Sequence, residues 1–168
     1  MKTTLKTAAL FIFGASAALP LGGCATSQAS QPVATEALGH ETRFVVRASA
    51  KSFAATLSAL TTALDKRGLK TFAVVDHAAG AASIGVELEP TTLVIFGNPK
   101  AGTPLIAAEP LMGGELPLKA LVYERDGQVF LALTNVQGFA RTYPLDQRAG
   151  VLANIEKALD GIAGEVTR

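Results

Sequence analysis

An eight-residue stretch at positions 97–104, Gly-Asn-Pro-Lys-Ala-Gly-Thr-Pro, has the composition of a loop that could bind an anion. It follows a short apolar run, and free backbone amides at a helix start, with a lysine nearby, can hold a carboxylate or a phosphate. The ligand-binding candidates in this stretch are Asn98, Lys100, Gly102 and Thr103. A Walker loop is excluded, because that pattern requires Gly-Lys followed by Ser or Thr.

A purely structural interpretation explains nearly the same residues. Thr103-Pro104 is typical of a helix start, with threonine as the N-cap and proline at the first helical position. Asn98-Pro99 and Gly102 would supply a turn before it. Only Lys100 has no structural explanation, so we favour the turn narrowly and keep the anion site as the alternative.

Two further side chains could do chemistry. Asp76 and His77 are neighbours, so on an extended strand they point to opposite faces and cannot form a catalytic pair. If Asp76 instead caps a short helix, His77 is free to point towards the cleft beside the third strand, as an acid, a base or a metal ligand. We favour a structural role, since one histidine is weak evidence for metal. Lys119, inside an apolar strand, either protects a sheet edge or directs its charge at a site.

No arrangement of nucleophile, base and orienting acid is recognisable. Gly-x-Ser-x-Gly, suitably spaced carboxylate pairs and Rossmann glycines do not occur, so no catalytic residue, metal site or cofactor is assigned. An enzyme is the third hypothesis and rests on His77 alone. With 15 Lys and Arg against 14 Asp and Glu, and no tryptophan, the chain lacks the basic cluster that nucleic-acid binding requires.

The first 23 residues have the pattern of a secretory signal peptide. Two lysines precede an apolar stretch at positions 8–21, which is short for a membrane span. The stretch ends in Leu21-Gly22-Gly23-Cys24, which resembles the bacterial lipobox. That resemblance implies cleavage before Cys24 and lipidation of its thiol, and hence a membrane anchor. Ala25 stands where inner-membrane lipoproteins carry aspartate, which favours the outer membrane, with the protein facing the periplasm.

Residues 24–42 form the lipidated cysteine and a tether, and residues 43–168 form one domain. The tether is small, polar and without apolar periodicity, which is typical of a flexible linker. Cys24 is the only cysteine, so an internal disulfide is excluded and packing must hold the domain together.

Hydrophobic periodicity predicts two long helices. One begins after Ser49, its expected N-cap, and ends at Gly68. Its apolar stripe consists of Phe53, Leu57, Leu60 and Leu64. The other closes the chain, with a stripe of Val151, Leu152, Ile155, Leu159 and Ile162. Helices of this kind cover a sheet.

The remaining segments predict strands. Positions 91–96 are almost continuously apolar, which indicates a strand inside the sheet. Strands at 118–124 and 128–134 meet at Asp126-Gly127, a strong hairpin signal. A short helix is expected at about 104–109. Strand composition is also present at 43–49 and 69–76. The order is strand, helix, four strands, helix, which predicts an α+β fold with an antiparallel-rich sheet covered on one face by two helices. A partner, the inserted segments or a ligand must cover the other face.

Three segments resemble successive blocks of domain-of-unknown-function family 302: FAVVDHAAGA, LEPTTLVIFGNPKAGTPLIAAEP and LPLKALVYERDGQVFLALTN. The resemblance covers about residues 43–144 and implies a β-α-β(4)-α fold similar to the TATA-box-binding-protein architecture. It implies no activity, because the biochemistry of the family is not established. After Thr134-Asn135 the family tends towards Asp-Pro, whereas this chain has Val136-Gln137, which puts any role of that loop in doubt.

Two functions are compatible with these observations. The first is a small-molecule or anion binding module, with a preformed apolar cleft where the third strand meets the 97–104 loop, and with His77, Lys100 and Thr103 as its polar groups. The alternative is a structural protein that homodimerises through the apolar strands at 120–122 and 129–133.

Overall fold

The computed structural model of the protein describes residues 43–168. The predicted signal peptide, the lipidation of Cys24 and the tether concern residues 1–42 and therefore lie outside the described residues. Within the described part the elements are β1 Phe44–Ala48, α1 Phe53–Lys66, β2 Lys70–Asp76, α2 His77–Ala82, β3 Thr91–Gly97, α3 Pro99–Ala108, α4 Met112–Glu115, β4 Leu118–Arg125, β5 Gln128–Thr134, α5 Gln137–Thr142 and α6 Ala149–Thr167, with a 3-10 turn at Asp146–Arg148.

The five strands form one sheet in the order β1-β5-β4-β3-β2, and every neighbouring pair is antiparallel. β3 pairs with β2 on one side and β4 on the other, which confirms its predicted place inside the sheet. The first two strands of the chain are the two edges. This arrangement confirms the predicted α+β fold, with small helices inserted around β3 and after β5.

Alternate residues of the strands divide between two faces. Val94, Phe96, Ala120 and Val122 have no exposed surface, and they face the helical layer of α1 and α6. Their neighbours on the opposite side, such as Leu121, are half-buried. We call these the covered face and the open face of the sheet. The stripes predicted for the two long helices lie on the covered face, where Leu60, Leu64 and Ile162 are fully buried.

The N-terminal end of α1 differs from the prediction, and its C-terminal end agrees with it. The N-cap is Ser52, whose hydroxyl accepts a hydrogen bond from the Ala55 amide at 3.4 Å. The prediction of Ser49 was wrong, because Ser49 is buried and its hydroxyl bonds to that of Thr56 at 2.8 Å. Gly68 terminates the helix as predicted, with a φ of 63° that glycine adopts without a steric penalty.

The hairpin between β4 and β5 is confirmed at the predicted position. Arg125 pairs with Gln128, so Asp126 and Gly127 are the two loop residues. Their φ angles are 52° and 75°, both positive, as the tight hairpin turn between twisted strands requires. This turn fixes the register between β4 and β5.

Charged groups connect the two long helices near their C-terminal ends. The Glu165 carboxylate of α6 accepts hydrogen bonds from Lys66 at 3.1 Å and from Arg67 at 2.9 Å. These two hydrogen bonds hold the pKa of Glu165 below its usual value, and the bond from Arg67 has the larger effect. The Lys51 ammonium also donates to the carbonyl of Val166 at 2.8 Å, close to the C-terminal end of α6.

Among residues 43–168, none of the helices combines the length and the apolar character that crossing a bilayer would need.

Candidate functional site

A cavity of about 590 Å³ lies where β3 ends and β4 begins. Its walls come from the start of β2, the β3–α3 junction, the residues before β4 and one side of α6. Most of the lining is apolar, including Leu69, Phe72, Phe96, Leu116, Ile155 and Ile162. Sites for small molecules typically have volumes of about 300–1,000 Å³. This is the junction at which the sequence predicted a cleft.

The helix beside the cavity begins earlier than predicted. α3 starts at Pro99, with Asn98 as its N-cap, so the predicted start at Thr103-Pro104 was wrong. Asn98-Pro99 is itself a capping residue followed by proline at the first helical position, and it comes first along the chain. Pro104 lies inside α3 and lacks the N–H that would reach the Lys100 carbonyl, a loss that the helix tolerates.

The amides at the start of α3 are already used within the helix. The Lys100 amide donates to the Asn98 side-chain oxygen at 2.9 Å, and the amides of Ala101 and Gly102 each donate to the Asn98 carbonyl at 3.0 Å. Pro99 has no N–H. The free backbone amides on which the predicted anion site depended are therefore occupied, so any anion here must be held by side chains.

Gly102 has a packing role in the wall of the cavity. A Cβ at this position would lie 3.3 Å from Cδ1 of Leu116, which is closer than most such contacts. The missing side chain lets the residues before β4 pack closely against α3. Gly102 contributes only backbone atoms to the cavity wall and offers no side chain to a ligand.

Three polar side chains of the lining lack a protein partner. Lys100 and Thr103 lie one turn apart on α3, and Asn154 lies on α6. Within residues 43–168 none of these three side chains makes a hydrogen bond or an ion pair. The sequence predicted the first two as binding residues. It gave no signal for Asn154, which sits beside the apolar stripe of α6 and lines the same cavity as α3.

His77 lies away from the cavity. Asp76 caps α2 as predicted, accepting a hydrogen bond from the Ala79 amide at 2.9 Å, and His77 is exposed. However, Asp76 pairs with Thr92, whereas the cavity lies at the other end of the strand pair, where Lys70 pairs with Gly97. Six residues of strand span about 20 Å. The predicted orientation of His77 towards the cleft was therefore wrong.

Lys119 serves neither of its predicted roles. β4 is the central strand of the sheet, so Lys119 does not protect an edge. Its side chain lies on the open face, opposite Ile95 on β3, and its ammonium group donates to the Glu115 carbonyl at 2.7 Å. It does not line the cavity. The lysine instead joins the central strand to the end of α4.

Glu115 is the centre of a small polar cluster. Its carboxylate accepts a hydrogen bond from the Tyr143 hydroxyl at 2.8 Å and lies 3.7 Å from the Arg43 guanidinium. The hydrogen bond to the carboxylate, followed by burial, raises the pKa of Tyr143. The cluster connects α4, the end of α5 and the residue before β1, so we assign it a structural role.

In the part of the chain that the structure describes, no three His, Cys, Asp or Glu side chains come close enough together to hold a metal ion.

Two curated relatives align with most of this chain. The Fluoride-specific ion channel FluC 1 of Brucella suis biovar 1 is 35% identical over 121 residues, which are 71% of this chain and 46% of that protein. The Fluoride-specific ion channel FluC 2 of Brucella melitensis biotype 1 shows 35% identity over 121 residues, 44% of its own length. The chain thus spans less than half the length of these relatives.

A solved structure and a family model agree on the domain. The crystal structure of an uncharacterized conserved protein DUF302 from Bacillus stearothermophilus has a TM-score of 0.66 and 18% identity, covering 76% of this chain and 99% of the other. At that identity the likeness shows the fold alone. The model of the family named Domain of unknown function DUF302 matches residues 44–162, and the chain therefore belongs to the DUF302 family.

Proposed function

We propose that this protein is a small-molecule binding module and that its ligand occupies the cavity between α3 and α6. The observation that carries the proposal is the cavity itself, about 590 Å³ in volume and largely apolar. Binding an apolar ligand here would remove exposed apolar surface, such as that of Phe72 and Ile106, from water. The unpartnered side chains of Lys100, Thr103 and Asn154 supply the few polar groups that orient a ligand in such sites.

A variant that fills the cavity tests this function. Ala158 is exposed, lines the cavity and lies on α6, so Ala158→Phe adds volume there without disturbing the buried core. Ala153→Phe is the matched control, because Ala153 is exposed on the same helix but does not line the cavity. A library of metabolites and lipids is screened by thermal shift against the parent protein and both variants. We expect hits that stabilise the parent and the Ala153 variant but not the Ala158 variant. No stabilisation by any compound would count against the proposal.

The proposed location of the module is the periplasmic side of the outer membrane, held by a lipidated Cys24. The support is in the sequence: a signal-like start, the lipobox-like Leu21-Gly22-Gly23-Cys24 and Ala25 after it. Mass spectrometry of the mature N-terminus is expected to find a fatty-acylated cysteine, and Cys24→Ser is expected to release the protein from membranes. An unmodified Cys24 on the mature protein would overturn this part of the proposal.

A second candidate function, homodimerisation through the sheet, is favoured by the open face. Tyr123 and Phe130 stack there with ring centroids 5.1 Å apart, beside the half-buried Leu93 and Leu121. Val46 on the same face is 40% exposed. The predicted contact residues need revision, because Ala120, Val122, Val129, Leu131 and Leu133 point to the covered face and are buried.

Light scattering after size exclusion tests the dimer. We expect the mass of two chains at micromolar concentration, and Leu121→Glu should reduce it to the mass of one chain, because each copy would carry an unpaired charge into the contact. Glu124→Gln, at a position of β4 whose side chain is on the other face, should leave the dimer intact. A parent protein with the mass of a single chain would exclude this function.

A further inference from the structure

The charge of the cavity lining is exclusively positive among the described residues. Of the described residues that line the cavity, Lys100 alone carries a charge, and none is an aspartate or glutamate. Its ammonium group has no partner among residues 43–168. A cationic ligand would find no counter-charge here and would be repelled by Lys100, whereas an anionic group would gain one.

The lining has few polar groups and a large apolar part. Lys100 and Thr103 lie on the first turns of α3, where the positive end of the helix dipole adds to the lysine charge. Asn154 is the polar residue of the α6 wall, and the accessible apolar surface comes from Phe72, Leu116 and Ile155. A ligand that meets both parts must have a polar end and an apolar body.

The polar groups of the site are hydrogen-bond donors or can act as donors. Lys100 offers only donors, and the hydroxyl of Thr103 and the amide of Asn154 can both donate. Because the backbone amides at the start of α3 bond within the helix, these side chains alone would bind the polar end. An oxyanion with several acceptor oxygens matches them.

We propose that the ligand is an anionic amphiphile with one apolar chain, and that its anionic head pairs with Lys100 while its chain lies between α3 and α6. This inference rests on the proposed binding function and specifies the ligand class. The volume of about 590 Å³ suits a single chain. The pairing would give a role to Lys100, a cation that the helix start at Asn98-Pro99 does not require.

Three probes with the same ten-carbon chain and different head groups test the ligand class: decanoate, decanol and decylamine. Their dissociation constants are measured by calorimetry below micelle-forming concentrations, on the Cys24→Ser protein so that no attached fatty chain competes. We expect decanoate to bind about 2- to 5-fold more tightly than decanol, the upper part of the range for an ion pair at an exposed site. Decylamine should bind weakest, and added salt should reduce the advantage of decanoate.

Lys100→Met removes the charge and keeps most of the side-chain length. It should abolish the preference for decanoate and leave the affinity for decanol within about twofold, the change expected from an uncharged head that makes no ion pair. Lys157→Met is the control, because Lys157 is exposed on α6 outside the cavity and should change neither affinity.

The results separate the ligand class from the binding function. If decanol or decylamine binds as tightly as decanoate, or if Lys100→Met leaves the preference unchanged, the anionic assignment is wrong and the binding function stands. If none of the three probes binds and the compound library gives no stabilisation that Ala158→Phe removes, the binding function itself fails.

Discussion

On the covered face of the sheet, Val94, Phe96 and Val122 are completely buried, whereas on the open face Leu93 and Leu121 keep part of their surface exposed. Both faces carry large apolar residues, and the two sets alternate along the same strands. The difference comes from what packs against them: α1 and α6 cover one face of the sheet. Apolar composition therefore indicates that a strand lies inside the sheet, but the packing of the helices determines which of its alternate residues are buried in the core.

The largest effect should come from placing a charge on each face in turn. Val122→Glu buries a carboxylate without a partner, which we expect to cost at least about 3 kcal/mol and to prevent stable folding. Leu121→Glu, at the next residue, places the same group at the partly exposed open face and should leave a cooperative thermal transition. Circular dichroism during heating distinguishes the two variants. If both unfold at the same temperature, the assignment of the faces is wrong.

A smaller effect is expected from truncating leucine on each face. Leu131 is 1% exposed, so Leu131→Ala should lower the free energy of unfolding by about 2–5 kcal/mol, through lost burial and a cavity. Leu121→Ala should cost about 1 kcal/mol if the open face is free in the folded chain. Urea denaturation at nanomolar and at micromolar concentration sharpens the comparison. A cost for Leu121→Ala that rises with concentration would indicate that a second copy buries this face.

The smallest effect concerns the ion pairs that hold the covering helices together. The pKa of Glu165 is lowered in the folded state by its hydrogen bonds to Arg67 and Lys66, so the folded carboxylate binds protons less readily than the unfolded one. Its contribution to stability is present above the ordinary glutamate value of 4.5 and is lost as the pH falls through the folded pKa. The parent protein should therefore lose more stability than Glu165→Gln on acidification.

Thermal unfolding across this acidic range measures the difference, which should be small because the pair is exposed. Glu87→Gln is the control, since Glu87 is exposed and makes no ion pair within the described residues, and it should follow the parent. A Glu165→Gln profile that coincides with the parent at every pH would contradict the assigned role.

The sequence predicted what depends on local periodicity and turn chemistry. The stripe of Leu57, Leu60 and Leu64, the glycine stop at Gly68 and the Asp126-Gly127 hairpin are each determined by residues close together in the chain, and all three were correct. The helix before the cavity was misplaced because Asn98-Pro99 and Thr103-Pro104 are both valid helix starts. Only the hydrogen bonds of Asn98 decide between them.

The site was predicted in part for a related reason. Lys100 and Thr103 belong to one short segment of distinctive composition, which forms the start of α3, whereas Phe72, Leu116 and Asn154 reach the cavity from other elements. No local sequence pattern indicates that these segments lie close together in the folded protein. The contact residues named for the dimer need revision because they were consecutive residues of β4 and β5, and consecutive strand residues point to opposite faces.

The position of β1 in the sheet affects how the chain folds during its synthesis. Phe44 pairs with Thr134, so β1, the first strand of the described residues, is joined to the sheet only through β5, their last strand. Contacts between segments so far apart in sequence form late and slowly. A nascent chain that stops short of β5 would leave β1 without any strand partner and β4 with one unpaired side, and such unpaired strands promote aggregation. β1 can therefore join the sheet only after β5 has been synthesised.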